Sequence, residues 1–317
     1  MKRVMFFLFA SIILIAFCSC ELCYQAPEVG TMRILTIGND YSYGSAVYYF
    51  DEDHNEKQLM IGEQPAAAKM LYKTVGDAEQ VALALSTLAS KAGIAHQTVC
   101  LTEKDSVTKS RLVSELEALA SITTDTDITI IFYSGHGFGD NKKQPYGYDT
   151  STYSYMALRY DERPNSSILF SVSDFLALVE KIKGVKVVLG DFCYSGALVQ
   201  SNNFSVTSGE YSQMDAMTLF AEYRDEVREN PSLFCLSASR YNELSYERTP
   251  LHGNFTNALL QGLGWDEANQ CLTDAGAEKN GRITLFGLAK YITAHDGLSE
   301  QTPMVSGGSN DIVLFSF

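Results

Sequence analysis

The chain of 317 residues lacks the features of two common functional classes. None of its seven cysteines belongs to a double Cys-x-x-Cys or Cys/His arrangement with the spacing of a structural zinc site, so no metal site is predicted. Positive charge is also scarce, because 24 lysines and arginines face 38 acidic residues and the net charge at pH 7 is −14. Such a surface repels nucleic acid and attracts basic peptides. We therefore expect a peptide or protein partner and no nucleic acid.

Long apolar runs are few, and the longest, Val4 to Phe17, is shorter than the roughly 20 residues of a spanning helix. A Lys-Arg pair precedes this run, and Cys-Ser-Cys-Glu follows it. That order is typical of a secretion signal. Residues 1–20 are therefore predicted to be a signal peptide, and residues 21–31 a tether.

The end of this signal, Phe17-Cys-Ser-Cys20, resembles a bacterial lipoprotein box with Ser19 before the lipidated cysteine. The resemblance implies lipidation at Cys20, ahead of Cys18, and a membrane anchor that needs no spanning helix. The protein would then be an exported lipoprotein of the periplasm or the cell surface. Simple cleavage and release as a secreted protein is the alternative.

Strand and helix patterns alternate along the rest of the chain, and 46% apolar residues suffice for a sizeable core. Strands are predicted at residues 32–37, 96–101, 128–133, 185–190 and 232–239. Helices are predicted at residues 76–92, 111–120, 172–183 and 253–263. In the first of them Val81, Leu83, Leu85, Leu88 and Ala92 are predicted to share one apolar face. Because parallel strands need crossover connections, this order predicts an α/β fold with a mostly parallel central sheet and helices on both faces.

Two of the predicted strands end in chemically active side chains. The run Val187-Val-Leu-Gly-Asp-Phe leads directly to Cys193, and the run Ile128-Thr-Ile-Ile-Phe-Tyr-Ser-Gly leads to His136, which another glycine follows. Open α/β sheets place their chemistry at the carboxyl ends of the strands. If the two strands are neighbours, a thiol and an imidazole meet there as a nucleophile and its proton-transfer partner.

The remaining cysteines and histidines are predicted to have structural or surface roles. Cys100 and Cys235 lie inside apolar runs and are expected to be buried, whereas Cys271 lies in a polar stretch. Surface or capping positions are expected for the other histidines, His54, His96, His252 and His295.

The motifs Tyr-Ser-Gly-His136-Gly and Asp-Phe-Cys193-Tyr-Ser-Gly resemble those of the caspase/metacaspase clan of cysteine peptidases. The separation of 57 residues between His136 and Cys193 agrees with the roughly 50 residues of caspases. The cysteine motif departs from the Gln-Ala-Cys-x-Gly of animal caspases and is closer to metacaspases and bacterial caspase-like proteins. The stretches Ser237-Ala-Ser-Arg-Tyr-Asn-Glu, Gly253-Asn-Phe-Thr and Gln301-Thr-Pro resemble the small-subunit half of the same clan.

The resemblance implies a caspase-like α/β/α sandwich over residues 32–317. A large-subunit-like part would cover residues 32–200, a linker residues 201–231 and a small-subunit-like part residues 232–317. Cleavage of the linker during activation and an uncut surface excursion are both open.

The resemblance also implies which groups surround the dyad. The oxyanion donors would be the backbone amides of Gly137 and Cys193. Asp77, Ser134 and Asp191 occupy the positions that line an acidic substrate pocket in metacaspases, which would favour cleavage after Arg or Lys. Two simpler roles are open, since Asp77 could act only as a helix cap and Asp191 only as a strand-end hydrogen-bond acceptor.

Three functional interpretations compete. The first is a cysteine endopeptidase that needs no cofactor, and the second is a binding or adhesion module of the same fold without catalysis. The third is another use of the same dyad, such as transpeptidation or cleavage after Asp. Calcium activation occurs among metacaspases, but no ligands are assigned, because the acidic stretch 51–56 lacks the spacing of an EF-hand loop.

Overall fold

The computed structural model of the protein describes residues 30–39, 48–50, 56–58, 60–61, 64–65, 71, 73–102, 107–139, 154–158, 169–200, 232–240, 243–297, 300–306 and 311–317. The helices are α1 (Thr74–Lys91), α2 (Lys109–Ile122), α3 (Val172–Val179), α4 (Ala197–Gln200), α5 (Asn254–Leu263) and α6 (Leu285–His295). The strands are β1 (Met32–Gly38), β2 (Tyr48–Phe50), β3 (Glu56–Gln58), β4 (Met60–Ile61), β5 (Gln64–Pro65), β6 (His96–Leu101), β7 (Ile128–Ser134), β8 (Gly137–Gly139), β9 (Ser154–Ala157), β10 (Leu169–Ser171), β11 (Val185–Asp191), β12 (Leu233–Ser237), β13 (Trp265–Asp266), β14 (Cys271–Leu272), β15 (Arg282–Thr284), β16 (Met304–Val305) and β17 (Val313–Ser316).

Six strands form the central sheet in the order β16-β12-β11-β7-β1-β6. All neighbours pair in parallel except β12 and β16, which are antiparallel. The inner strands β7 and β11 are buried over six of their seven residues each, as expected for parallel strands covered on both faces. The predicted mostly parallel sheet is therefore confirmed.

Helices cover both faces of this sheet. Side chains of α1, α5 and α6 share one apolar core with one face of the strands. Side chains of α2, α3 and α4 share a second core with the opposite face. The predicted α/β/α sandwich is thus confirmed, and each core excludes water from one side of β7 and β11.

Three local predictions were wrong. The helix expected to reach residue 183 ends at Val179, because the N–H groups of Lys181 and Ile182 bond three residues back and Gly184 takes a positive φ of 73°. Leu83, predicted on the apolar face of α1, is 40% exposed. Cys100 is exposed rather than buried, because it lies on β6, the edge strand of the sheet. Cys235 is buried and Cys271 exposed, as predicted.

Several sequence-based predictions lie outside the described residues. They are the signal peptide and Cys20, most of the tether, the linker at 201–231 and the acidic stretch 51–55. They stay predictions.

Candidate active site

Strands β7 and β11 are direct neighbours, and their register sets the position of the dyad. Ser134 at the end of β7 pairs with Asp191 at the end of β11. The next residue, Gly135, donates its N–H to the Asp191 carbonyl at 3.2 Å. The chain segments with His136 and Cys193 therefore leave the sheet side by side at its carboxyl edge.

Gly137 fixes how closely these two segments approach. A Cβ atom at Gly137 would lie 1.9 Å from the Cys193 carbonyl oxygen and 2.5 Å from Cδ2 of Phe192. Only glycine fits such a contact. The backbone beside His136 is thus in direct contact with the backbone of Cys193.

The backbone of His136 is held from the other side. Its carbonyl accepts the Ala157 N–H at 3.0 Å and the Tyr133 hydroxyl at 3.1 Å. The ring of His136 is half-buried, and its centroid lies 6.2 Å from that of Phe138. These contacts restrict the position from which the imidazole can reach the thiol.

The hydrogen-bond pattern of β8 and β9 orients the Gly137 amide. Gly137 pairs with Met156, and the bond from Ala157 to the preceding His136 makes this a non-hydrogen-bonded pair. In such a pair the N–H points away from the partner strand. The Gly137 N–H therefore points away from β9, as an oxyanion donor must.

Cys193 lies on a sharp turn between β11 and α4. Tyr194, the following residue, has a φ of 64°, which costs a non-glycine residue roughly 1 kcal/mol. Its N–H donates to the Glu243 carbonyl at 2.8 Å, and this bond holds the turn in place.

The Cys193 thiol is bonded to the backbone of Ser245. The Ser245 N–H donates to Sγ at 3.4 Å, and Sγ donates to the Ser245 carbonyl at 3.7 Å. Burial raises the pKa of the Cys193 thiol, the Ser245 N–H lowers it, and the charge of Asp191 raises it. The net shift is upward, so the resting thiol is neutral and needs a base to become a nucleophile.

Asp77, Ser134 and Asp191, the three predicted pocket residues, lie close together. The Ser134 hydroxyl donates to Asp77 Oδ2 at 2.7 Å, and Ser134 is the strand partner of Asp191. Burial and the nearby Asp77 charge raise the pKa of Asp191 to about 6. Asp77 does not cap α1, because the helix begins at Thr74 and Asp77 lies one turn inside it.

His252, predicted to be a surface or capping residue, is buried in this cluster. Its Nδ1 lies 2.8 Å from Asp77 Oδ1, and its Nε2 lies 2.9 Å from Oε2 of Glu267. Burial lowers the pKa of His252, but the two carboxylates raise it by a larger amount, so the net shift of the pKa is upward. No sequence signal marked His252, because its partner Asp77 is 175 residues away.

Glu247 is a second residue of the site that the sequence did not indicate. It lies two residues after Ser245, and its pKa is raised to about 7 by burial and by the charges of Asp77 and Asp191. The ammonium of Lys73 donates to the backbone carbonyls of Glu247 and Thr249. The stretch Glu243–Thr249 thus forms one wall of the site.

The three stretches that resemble the small-subunit half all reach this site. The Ser239 N–H donates to the Ser195 hydroxyl at 3.1 Å, and the backbone of Gly253 lies against the Asp191 carboxylate. Gln301 accepts the N–H of Tyr246 at 3.0 Å. The site is therefore built from both parts of the chain.

Within the described ranges, no group of three or more His, Cys, Asp or Glu side chains is arranged to hold a metal ion. In the part of the chain that the structure describes, no helix is both long and apolar enough to cross a bilayer.

Comparison with known families agrees with this geometry. The family model described as the caspase domain matches residues 59–297, and the chain belongs to the caspase domain family. Among solved structures it is similar to a protein from Geobacter sulfurreducens, with 19% identity, a TM-score of 0.51 and coverage of 90% of this chain and 97% of the other. It is also similar to caspase-1 from Spodoptera frugiperda, with 11% identity, a TM-score of 0.50 and coverage of 92% and 93%. No curated protein matches the sequence.

Proposed function

We propose that the protein is a cysteine endopeptidase in which Cys193 is the nucleophile and His136 the general acid and base. The observation that carries this proposal is the direct backbone contact between Gly137 and Cys193 at the carboxyl edge of the sheet. It brings the two segments that bear a thiol and an imidazole together, and the caspase domain family to which the chain belongs implies a peptide or protein substrate.

In the proposed reaction the imidazole of His136 takes the proton of Cys193. The sulfur then forms a bond to the carbonyl carbon of the substrate, and the carbonyl oxygen becomes an oxyanion. The N–H groups of Gly137 and Cys193 stabilise this oxyanion, and loss of one such donor typically costs about 3–4 kcal/mol. The C–N bond breaks as His136 protonates the leaving amine, and water hydrolyses the thioester.

We also propose that cleavage follows Arg or Lys. The carboxyl-bearing residues Asp77, Asp191 and Glu247 gather beside Cys193, and this negative field favours a basic side chain. Cleavage after Asp would instead need basic side chains in the pocket, and Arg159 and Arg240 are the candidates. Arg159 lies outside the described residues, and Arg240 is paired with Glu243 at 3.4 Å.

The N-terminal pattern supports an exported lipoprotein anchored through Cys20. Metabolic labelling with a radioactive fatty acid tests this proposal. Label in the wild type and in Cys18→Ala, but not in Cys20→Ala, is expected. Unlabelled protein in the culture medium would instead establish a secreted enzyme.

Peptide hydrolysis tests the enzymatic proposal. Residues 21–317 are assayed with fluorogenic peptides that differ only in the residue before the cut, with and without calcium. Turnover of Arg and Lys peptides that disappears in Cys193→Ala and His136→Ala is expected. Turnover only after Asp would overturn the specificity, and ligated products would indicate a transpeptidase. A folded protein with an unreactive Cys193 would indicate a binding module.

A further inference from the structure

We propose that Glu247 is the specificity-determining residue that contacts the basic side chain of the substrate, and that Asp77 and Asp191 hold the pocket together. This inference rests on the proposed function, because it names a contact within the same site. Asp77 and Asp191, which the sequence predicts to contact the substrate, then have a structural role instead.

The oxygens of Asp77 and Asp191 are already engaged by donors of the protein. Asp77 accepts from the Ser134 hydroxyl and the Gly253 N–H, and it pairs with His252. Asp191 accepts the Ser245 hydroxyl at 2.6 Å on Oδ1, and the Thr256 N–H and hydroxyl at 3.1 and 2.7 Å on Oδ2.

Both carboxylates are also closed to solvent. Asp77 is 0% exposed and Asp191 is 5% exposed. A guanidinium that bound them would have to displace these donors, which would then be buried without partners at a cost of about 1–3 kcal/mol each. The two carboxylates therefore act as the fixed base of the pocket.

Glu247 has the opposite character. It is half-buried, and within the described residues no side-chain donor is hydrogen-bonded to its carboxylate. Burial and the charges of Asp77 and Asp191 raise its pKa, whereas the charge of Lys73 and the Lys73 backbone N–H lower it by less. The Lys73 ammonium is directed to backbone carbonyls instead, at 3.1 Å for that of Glu247. Among the residues that the structure describes, the Glu247 carboxylate is thus partly accessible and accepts no side-chain hydrogen bond.

The position of Glu247 relative to the thiol fits a substrate contact. Ser245 directs its hydroxyl to Asp191, and its backbone touches Cys193 Sγ. Glu247 follows Ser245 by two residues, and the Lys73 ammonium holds its backbone carbonyl. The charges of Asp77 and Asp191 both act on the Glu247 carboxylate.

Arg248, the residue after Glu247, already has two partners. Arg248 lies 4.3 Å from the ring centroid of Tyr246 and pairs with Glu300 Oε2 at 2.7 Å. Glu300 is therefore a nearby carboxylate that already has a cation. It is the matched control for a general loss of negative charge.

A carboxylate can accept two parallel hydrogen bonds from a planar guanidinium. A lysine ammonium is a point charge and does not form this paired arrangement. Since Glu247 is the accessible carboxylate, we expect arginine to be preferred over lysine before the cut. The preference should depend on Glu247 and not on Glu300.

The test compares wild type, Glu247→Gln and Glu300→Gln on peptides that end in Arg, Lys or norleucine before the cut. Glu247→Gln is expected to raise KM for the Arg peptide about tenfold or more, with KM for norleucine within about twofold. Glu300→Gln should change neither value. An equal change on Arg and norleucine peptides, or no change in Glu247→Gln, overturns the proposal.

A binding measurement separates this proposal from the proposed function. Calorimetry on Cys193→Ala compares product-like peptides ending in Arg or norleucine, with and without Glu247→Gln. Tighter binding of the Arg peptide that is lost with Glu247 supports the pocket even if the wild type hydrolyses nothing. Equal affinity for the two peptides, or an Arg preference that survives in Glu247→Gln, overturns it.

Discussion

Asp77 and His252 form a buried ion pair, with Oδ1 and Nδ1 2.8 Å apart, beneath the proposed substrate pocket. The side chains are 1% and 5% exposed, so neither group is solvated by water. Removing one partner of a buried pair typically costs about 3–5 kcal/mol, because the other charge stays buried.

We expect His252→Ala to lower the free energy of unfolding by about 3 kcal/mol at pH 6. Urea denaturation measures the change. Glu267→Gln, which removes the partly exposed second partner of His252, should cost less. An effect of His252→Ala no larger than that of Glu267→Gln would contradict the buried pair as the source of stability.

The same pair predicts a pH dependence of stability. The pKa of His252 is raised above 6.5 in the folded protein, so its stabilising contribution is complete below pH 6.5 and is lost as the pH rises through the folded-state pKa. The difference in unfolding free energy between wild type and His252→Ala should therefore shrink above neutral pH. A difference that stays constant from pH 5 to 9 would show that His252 packs as a neutral ring.

Gly137→Ala is expected to reduce kcat/KM by about a hundredfold or more. The added Cβ would overlap the Cys193 carbonyl oxygen, which displaces one oxyanion donor from the other. Gly76→Ala is the matched control, since a Cβ there meets nothing within 4 Å and the site lies inside α1. It should leave activity unchanged and stabilise the protein by about 0.5–1 kcal/mol. Full activity in Gly137→Ala would be incompatible with the close contact.

Asp191→Asn should lower the pKa of the Cys193 thiol, because the Asp191 charge raises it. The rate of iodoacetamide alkylation as a function of pH, with the modified residue identified by mass spectrometry, measures this pKa. The exposed Asp266→Asn provides the comparison. A profile of Asp191→Asn that coincides with that of the wild type would mean that Asp191 is protonated at the pH of the measurement.

Discrimination for arginine should increase with pH around neutrality. The pKa of Glu247 is about 7, raised first by burial and then by Asp77 and Asp191, and lowered by Lys73. Its carboxylate is therefore largely protonated at pH 6 and largely ionised at pH 8. The ratio of kcat/KM for Arg and norleucine peptides should rise over this range, because only the Arg peptide gains from the charge on Glu247. The rise should be absent in Glu247→Gln.

The central sheet and the positions of His136 and Cys193 at its strand ends could be predicted from the sequence. The runs that form β1, β7 and β11 are short and mostly apolar, so the pattern that predicts them is local. His136 and Cys193 follow such runs directly. Their placement at one edge then needed only the neighbour relation of β7 and β11.

The rest of the site depends on packing between distant segments. Ser245 is 52 residues from Cys193, and His252 is 175 residues from Asp77. Neither Ser245 nor His252 lies in a periodic pattern, because residues 243–253 belong to no helix or strand. Leu83 was misplaced for a related reason, since periodicity gives a helix face but not how far neighbouring elements cover it.

Strand β12 has one further consequence. It pairs in parallel with β11 on one side and antiparallel with β16 on the other, so the central strands of the sheet come from both parts of the chain. Ser245, Glu247 and Thr256 reach the site from the same C-terminal part. The ladder between β11 and β12 and the two shared cores hold these parts together without help from the peptide bonds that connect them. The fold is thus suited to fragment complementation, in which two separately produced pieces reassemble into one folded domain.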